Sequence, residues 1–405
     1  MRSHSIQLLE ERCLGCTNCL KVCPVQAIRV RDGIAHINEK LCIDCGECVR
    51  VCPYHAHEII TDDLSLARKS SFRVLIVPTS FWGQFPLLPV ELILAALEQL
   101  GFQAVISENV GFSLFEQQLH KYLQEHSYSN RTYILPNCPA VVRLIFIRFP
   151  SLIAHILPVK NTLEMTAAYA DYYFRDVLHI PDPSIFYLST CSAKVTAISS
   201  PIGERNCIVK GAFSIKTLFN RIKAMESQKP VLSEKFIFLY TPFQRTTILN
   251  EYDRLNLTGV DYILDIFDKL ENNQNYQLDL INPYYCVNGC RNGILQVQNP
   301  FLAKKFLSRK NWIREPLDVK LSDLPFDLYL SQNIHQIRLV EEETDLLSKL
   351  QRLQKIEDLY RNLPHLDCGS CGSPNCYAFA EDVVQCQAQI SMCAFHQNEE
   401  AENHD

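Results

Sequence analysis

The feature that most constrains this chain is a cysteine run, Cys-x-x-Cys-x-x-Cys-x-x-x-Cys-Pro, that occurs twice near its N-terminus. Closely spaced cysteines wrap three thiolates around one [4Fe-4S] cubane, and the fourth cysteine of each run reaches the other cluster. Zinc sites use one or two Cys-x-x-Cys steps, so paired zinc sites or disulfides are the weaker interpretation. The spacing therefore predicts two ligand sets: Cys13, Cys16, Cys19 and Cys52 for the first cluster, and Cys42, Cys45, Cys48 and Cys23 for the second.

Residues around these runs resemble the bacterial two-cluster ferredoxins. Between the runs, Ala27–Arg31 and Ile34–Ile37 alternate around Asp32-Gly33, a pattern typical of a β-hairpin. The resemblance covers about the first 60 residues. It implies a small α+β ferredoxin domain, placed at residues 1–62, that carries two [4Fe-4S] clusters in electron transport.

The remainder of the 405 residues is long enough for a large second domain. Hydrophobic residues make up 47% of the chain and charged residues 21%, a balance ordinary for globular proteins, and the net charge of −6 gives no reason to expect a nucleic acid partner. The most apolar stretch, Leu144–Val159, is too short and too interrupted for a membrane span. The eighteen cysteines and the absence of a secretory leader favour metal binding in the cytoplasm, in an anaerobe.

After a polar linker, the middle of the chain alternates between strand and helix patterns, which predicts an α/β domain with largely parallel sheets. Gly101 is expected to end the first helix, after Pro89–Leu100. The other helix is predicted over Leu114–Glu125. The predicted strands are Arg73–Pro78, Gln103–Ile106, Thr132–Leu135, Ser184–Leu188 and Phe236–Tyr240.

Four cysteines of this middle region lie in three characteristic contexts: Cys138-Pro139, Cys191-Ser-Ala-Lys194 and Cys286-Val-Asn-Gly-Cys290. In this order they resemble the Cys-Pro, Cys-x-x-Lys and Cys-x-Gly-Gly-Cys motifs of the large catalytic domain of [FeFe]-hydrogenases. The resemblance runs from Arg73 to about Leu307 and implies a two-lobed α/β domain, placed at residues 71–335. It also implies that the four cysteines hold a third cubane and that Lys194 contacts the two-iron subsite; the alternative is that Lys194 is an ordinary surface lysine.

The departures from the hydrogenase pattern fall on its proton route. Asn137 stands where active members have a proton-delivering cysteine, and an amide does not titrate. Gln117 and His120 stand where the family has two glutamates, and Ala197 replaces a third. No catalytic residue is therefore assigned. Sensory members of the family also replace the cysteine and keep the two-iron subsite, so the presence of that subsite stays open.

A last cysteine-rich segment follows a leucine-spaced stretch, Val340–Asn362, which is expected to pack on its own chain rather than in a coiled coil. It contains the run Cys368-Gly-Ser-Cys371-Gly-Ser-Pro-Asn-Cys376, followed by Cys393. This run resembles the small single-cluster domain of electron-transport-complex B subunits and corrinoid proteins. We place a linking helix at residues 336–363, a small helical [4Fe-4S] domain at 364–396 and a tail at 397–405. The helix Tyr377–Gln389 is expected to carry Cys386 as a packing residue. The fourth ligand set is Cys368, Cys371, Cys376 and Cys393, with four zinc ligands as the alternative.

About four [4Fe-4S] clusters use all cysteines except Cys207 and Cys386, and Cys207 is expected to be a small buried hydrophobe. The sequence predicts a hydrogenase-like iron–sulfur protein acting in electron transfer or in redox or H2 sensing, with a redox or signalling protein as partner. Two alternatives are kept: an active [FeFe]-hydrogenase linked to ferredoxin, and a scaffold for iron–sulfur cluster assembly. The C-terminal cluster segment is evidence against the scaffold.

Overall fold

The computed structural model describes residues 4–126, 131–242, 252–272, 278–337 and 345–395. The chain divides into two compact units. One unit contains Ile60–Ile337, and the other joins Ile6–Ile59 to the C-terminal part of the chain, from Arg338. Of the helices within the described residues, none combines the length and the apolar character needed to cross a bilayer.

The N-terminal part of the second unit is built from two small antiparallel sheets and two short helices. Strand β1 (Ile6–Leu8) pairs with β4 (His57–Ile59), and β2 (Ile28–Arg31) pairs with β3 (Ile34–Ile37). Asp32 and Gly33 both adopt positive φ, 51° and 76°, as the two-residue turn of a tight hairpin requires. The predicted hairpin is therefore confirmed. In chain order the elements are β1 (Ile6–Leu8), α1 (Asn18–Lys21), β2 (Ile28–Arg31), β3 (Ile34–Ile37), α2 (Glu47–Val51) and β4 (His57–Ile59).

The larger unit contains two parallel sheets with helices between their strands. Its strands are β5 (Arg73–Val77), β6 (Ala104–Ser107), β7 (Tyr133–Ile134), β8 (Ser184–Ser189), β9 (Gly211–Ser214), β10 (Ile237–Leu239), β11 (Arg254–Thr258) and β12 (Leu280–Tyr284). Its helices are α3 (Val90–Gln99), α4 (Asn109–Glu125), α5 (Pro139–Arg148), α6 (Thr162–Tyr172), α7 (Ser192–Ser199), α8 (Ile215–Met225), α9 (Val260–Glu271) and α10 (Pro300–Leu307).

The five-stranded sheet has the order β10-β6-β5-β8-β9, and the three-stranded sheet has the order β11-β12-β7. All pairings in both sheets are parallel, which confirms the mixed α/β class. Strand β5 lies at the centre of the larger sheet, and its residues Val74–Val77 are completely buried. Parallel sheets place the carboxyl ends of their strands on one edge, where ligand-binding loops collect.

The predicted strands and the first predicted helix of this unit agree with the structure to within one residue at each end, and helix α4 differs most. Helix α4 begins at Asn109, five residues before the predicted start, and it includes Gly111. A Cβ on Gly111 would lie 2.0 Å from the Thr162 carbonyl oxygen, so this glycine serves the close packing of α4 on α6 rather than breaking the helix. Strand β7 spans only Tyr133–Ile134.

The C-terminal part of the second unit contains two helices, α11 (Leu346–Arg361) and α12 (Cys376–Val384). Ile356 is buried against Phe379, whereas Leu347 and Leu350 at the start of α11 are exposed. The expected packing of α11 on its own chain is thus seen at its C-terminal end. The predicted residues 340–344 lie outside the described part of the chain.

Candidate metal centres

The first predicted set, Cys13, Cys16, Cys19 and Cys52, lines a single cavity. Gly15 in its loop has φ +62°, and a Cβ there would lie 2.7 Å from the carbonyl oxygen of Gly33. The loop can therefore close only with glycine at this position. Backbone N–H groups aim at the sulfurs: Ala35 donates to Cys13 over 3.4 Å, and Ala56 donates to Cys52 over 3.3 Å. Such donors favour thiolate over thiol.

The second predicted set, Cys23, Cys42, Cys45 and Cys48, lines a separate cavity with Asp44. Burial raises the pKa of Cys42 and Cys48, and the neighbouring charges of Asp44 and Cys45 add to the effect. Four thiolates this close repel one another, so they are stable as anions only when a cation binds between them. In each of the two cavities, the fourth cysteine of one run lies with the first three cysteines of the other run.

The C-terminal set, Cys368, Cys371, Cys376 and Cys393, lines a third cavity. Asn375 caps α12 by accepting from the Ala378 N–H over 2.7 Å, and this starts the helix at Cys376. Asp367 accepts from the Cys376 N–H over 2.8 Å and orients the loop in front of it.

The expected role of Cys386 as a packing residue of this helix is wrong. Helix α12 ends at Val384, five residues before its predicted end at Gln389. Cys386 follows in the left-handed conformation, with φ +58°, and its side chain is exposed.

Cys207 is only half-buried, and burial raises its pKa to about 11.

The four middle cysteines follow three parallel strands. Cys138 precedes α5 after β7, Cys191 precedes α7 after β8, and Cys286 and Cys290 follow β12. The Tyr285 N–H donates to the Cys138 sulfur, which places the backbone just before Cys286 beside Cys138.

Two backbone contacts join the loop after β12 to the start of α7. A Cβ on Gly293 would lie 2.3 Å from the Thr190 carbonyl oxygen, and the Leu295 N–H donates to the same oxygen over 3.0 Å. Burial raises the pKa of the Cys138 thiol, and the Cys290 thiolate raises it further. Cys138, Cys191 and Cys290 therefore lie close enough for their charges to interact.

Lys194 is buried, so the interpretation as a surface lysine is wrong. Its Nζ lies 2.6 Å from Glu108 Oε1 and donates to the Tyr187 hydroxyl over 3.0 Å. Burial is the largest single influence on the pKa of Lys194 and lowers it, but Glu108, Tyr187 and Cys290 together outweigh burial and raise it well above its usual value. Lys194 in turn opposes the burial that raises the pKa of Cys191 and Cys290. A buried ammonium therefore faces the middle cysteines.

Glu108 is a site residue that the sequence analysis missed. It follows β6 directly and is 2% exposed. The hydroxyls of Thr162 and Tyr187 both donate to its carboxylate, each over 3.1 Å. The only signal in the sequence was its position two residues beyond the end of the predicted strand at Ile106, and its partner Lys194 is 86 residues away.

The residues at the predicted proton-route positions make structural hydrogen bonds. Asn137 Oδ1 accepts from the Thr162 N–H over 3.3 Å. Gln117 donates to the Val319 carbonyl over 2.8 Å and accepts from the Leu321 N–H over 2.8 Å, so it ties a loop to α4. Neither amide ionises near neutral pH, so neither can act as an acid or base in a proton relay.

Ala197 and Glu164 line one further cavity, together with Pro136 and Pro139, which flank Asn137 and Cys138. Burial raises the pKa of Glu164 to about 7, although the Asn161 N–H donates to its carboxylate and lowers it. Glu164 is thus a titratable group that the sequence analysis did not identify.

Three segments of the chain match models of known families. Residues 5–53 match a 4Fe-4S dicluster domain, residues 77–209 match the C-terminal domain of the iron-only hydrogenase large subunit, and residues 363–395 match a putative Fe-S cluster domain. The chain is a hydrogenase-like iron–sulfur protein with ferredoxin-type domains.

Matches among solved structures include forms of [FeFe]-hydrogenase HydA1 from Chlamydomonas reinhardtii. An apo form with a cysteine-to-histidine substitution has 13% identity and a TM-score of 0.49, and a variant with a glutamate-to-alanine substitution has 14% identity and a TM-score of 0.49. Each match covers 62% of this chain and 89% of the other. A search of curated protein sequences finds no significant match.

Proposed function

We propose that this protein binds four [4Fe-4S] clusters and acts in electron transfer or in redox or H2 sensing, with little H2 turnover. The observation that carries the proposal is the grouping of cysteines. Three cavities are each lined by one complete predicted set of four, and three of the four middle cysteines influence one another's ionisation. Four thiolates around one cavity fit a cubane.

The residues that would hold the clusters are the four sets named above, Cys138, Cys191, Cys286 and Cys290 forming the middle one. When bound, each cluster accepts or donates one electron. The chain's own part is to supply thiolates, to donate N–H groups to their sulfurs and to place Lys194 beside the middle set. A redox or signalling protein is the proposed partner. Electron transfer and redox sensing need no two-iron subsite, whereas H2 sensing would need one beside the middle cluster.

The low-turnover part of the proposal depends on Asn137, Gln117 and Ala197. A positioned acid–base group contributes about 10²–10⁴-fold to a rate. We expect H2 evolution at least ~10²-fold below that of an active [FeFe]-hydrogenase, measured with a strong reductant after a synthetic two-iron precursor has been supplied. Asn137→Cys alone should not restore full activity, because Gln117 and Ala197 remain; Asn137→Ser is the matched control.

One observation favours the second candidate, an active hydrogenase with an unusual proton route. Glu164, with a pKa of about 7, lies in the cavity that Ala197 lines. A group with this pKa is suited to accept and donate protons near neutral pH. Rapid H2 turnover by the wild type that is lost in Glu164→Gln would favour the active enzyme over the proposal above.

A further inference from the structure

A buried carboxylate joins the C-terminal cysteine segment to hairpin strand β2. Asp382 on α12 is 2% exposed. Its Oδ2 accepts from Arg29 Nε over 2.6 Å, from Arg31 over 2.7 Å and from the Ser373 hydroxyl over 2.6 Å. Arg29 and Arg31 lie on the same face of β2, because side chains two residues apart in a strand point the same way. A buried charge with two cationic partners and a hydroxyl is a fixed contact rather than a passing surface pair.

The backbones of the two segments also meet directly. The Val30 N–H donates to the Gly372 carbonyl over 2.8 Å. Arg31 additionally donates to the Cys371 carbonyl over 3.1 Å. A Cβ on Gly372 would lie 1.9 Å from the Val30 carbonyl oxygen, so only glycine allows the approach. The side-chain and backbone contacts together form what is here named the β2 junction: Arg29, Val30 and Arg31 on one side, and Cys371, Gly372, Ser373 and Asp382 on the other.

The β2 junction lies between two cysteine sets. Val30 lines the cavity of the first N-terminal set, and Cys371 belongs to the C-terminal set. One hydrogen bond, from Val30 to the residue after Cys371, connects the two cavity walls. Nearby, a Cβ on Gly369 would lie 3.4 Å from the side chain of Leu20, the residue after Cys19.

We propose that the β2 junction is an intramolecular electron-transfer contact between the C-terminal cluster and the first N-terminal cluster. The inference rests on the proposed function, since it requires cubanes at both sets. One electron passes from the reduced to the oxidised cluster, and no bond or proton changes place. The C-terminal segment is then a built-in redox partner of the first ferredoxin-type cluster, and the junction residues hold the two at a fixed separation.

The chain offers a matched pair of glycines for the test. The backbone φ angles of Gly372 and Gly33 are nearly identical, +77° and +76°. A Cβ at Gly33 meets no atom within 4 Å, whereas one at Gly372 collides with Val30. Gly372→Ala and Gly33→Ala therefore carry similar backbone strain, and only the first forces the junction apart.

The measurement is pulsed EPR of the fully reduced protein, with iron counted in the same samples. We expect a magnetic interaction between the C-terminal cluster and one other cluster. It should disappear in Cys368→Ser and in Cys13→Ser but persist in Cys45→Ser. Gly372→Ala should weaken it at full iron content, and Gly33→Ala should leave it unchanged.

Two results would overturn the electron-transfer contact alone: an unchanged interaction in Gly372→Ala at full iron content, or an interaction lost in Cys45→Ser but not in Cys13→Ser. If Gly372→Ala also loses iron, Asp382→Asn carries the same comparison. Glu357→Gln is the control, because Glu357 pairs with Arg361 at the exposed surface of α11. A wild type with far fewer than about sixteen irons would instead refute the four-cluster function, and this inference with it.

Discussion

Replacing Lys194 by methionine should destabilise the Ile60–Ile337 unit strongly. The side chains of Lys194 and Glu108 are 6% and 2% exposed, and they pair over 2.6 Å. Methionine keeps most of the lysine stem, so the main loss is the charge that balances Glu108. Removing one partner of a buried ion pair leaves an uncompensated charge and costs about 3–5 kcal/mol. At an m-value of about 3 kcal/mol/M, the urea midpoint should fall by about 1–1.7 M.

Both tryptophans of the chain, Trp82 and Trp312, lie in this unit, with ring centroids 5.6 Å apart. Tryptophan fluorescence during anaerobic urea unfolding therefore reports on this unit alone. Lys223→Met is the control, because Lys223 pairs with Glu226 at the surface and its loss should cost less than about 1 kcal/mol.

The double variant Lys194→Met/Glu108→Gln separates the charge effect from other causes. Glutamine keeps the shape of Glu108 but carries no charge. Its amide oxygen can accept from one of the two hydroxyls, of Thr162 and Tyr187, and its amide nitrogen can donate to the other. We expect it to recover at least about 2 kcal/mol of the loss, since a buried pair replaced on both sides is often nearly neutral. A double variant as unstable as Lys194→Met alone would refute the argument, because the loss would then not come from an unbalanced Glu108.

Two further predictions concern the ligand sets and pH. Cys138→Ser and Cys286→Ser should each remove about four irons and leave the ferredoxin-type EPR signal intact, whereas Cys207→Ser and Cys386→Ser should leave the iron count unchanged; loss of a cluster in Cys207→Ser would show that the middle set is misassigned. The raised pKa of Glu164 means that the folded protein keeps a proton which the unfolded chain releases, so stability should fall as pH rises from about 4.5 to about 7. Glu164→Gln should flatten this dependence in urea titrations at several pH values, and an equal slope in both proteins would contradict the assignment.

The cysteine sets of the second unit could be predicted because their spacing is local. Cys13, Cys16 and Cys19 lie within one turn-rich loop, and the hairpin between the runs brings Cys52 to them. The start of α4 was missed for the opposite reason. Glycine has a low helix propensity, so the sequence around Gly111 does not predict a helix. The close contact between Gly111 and Thr162 explains why a glycine lies in this helix.

The pairings that join distant segments could not be predicted from the sequence. Glu108 and Lys194 are 86 residues apart, and Arg29 and Asp382 are 353 residues apart. Each of these residues alone is an ordinary charged side chain, and its role depends on the burial that tertiary packing creates. The same holds for Glu164, whose raised pKa comes from burial.

The central claim is that four sets of four cysteines bind four cubanes. The most direct test is to purify the protein anaerobically, reconstitute it and measure iron, acid-labile sulfide and zinc per chain. Four cubanes predict about sixteen irons and about sixteen sulfides, with little zinc. A preparation that contains mainly zinc and few irons would contradict the claim, since zinc also binds four thiolates but brings no sulfide.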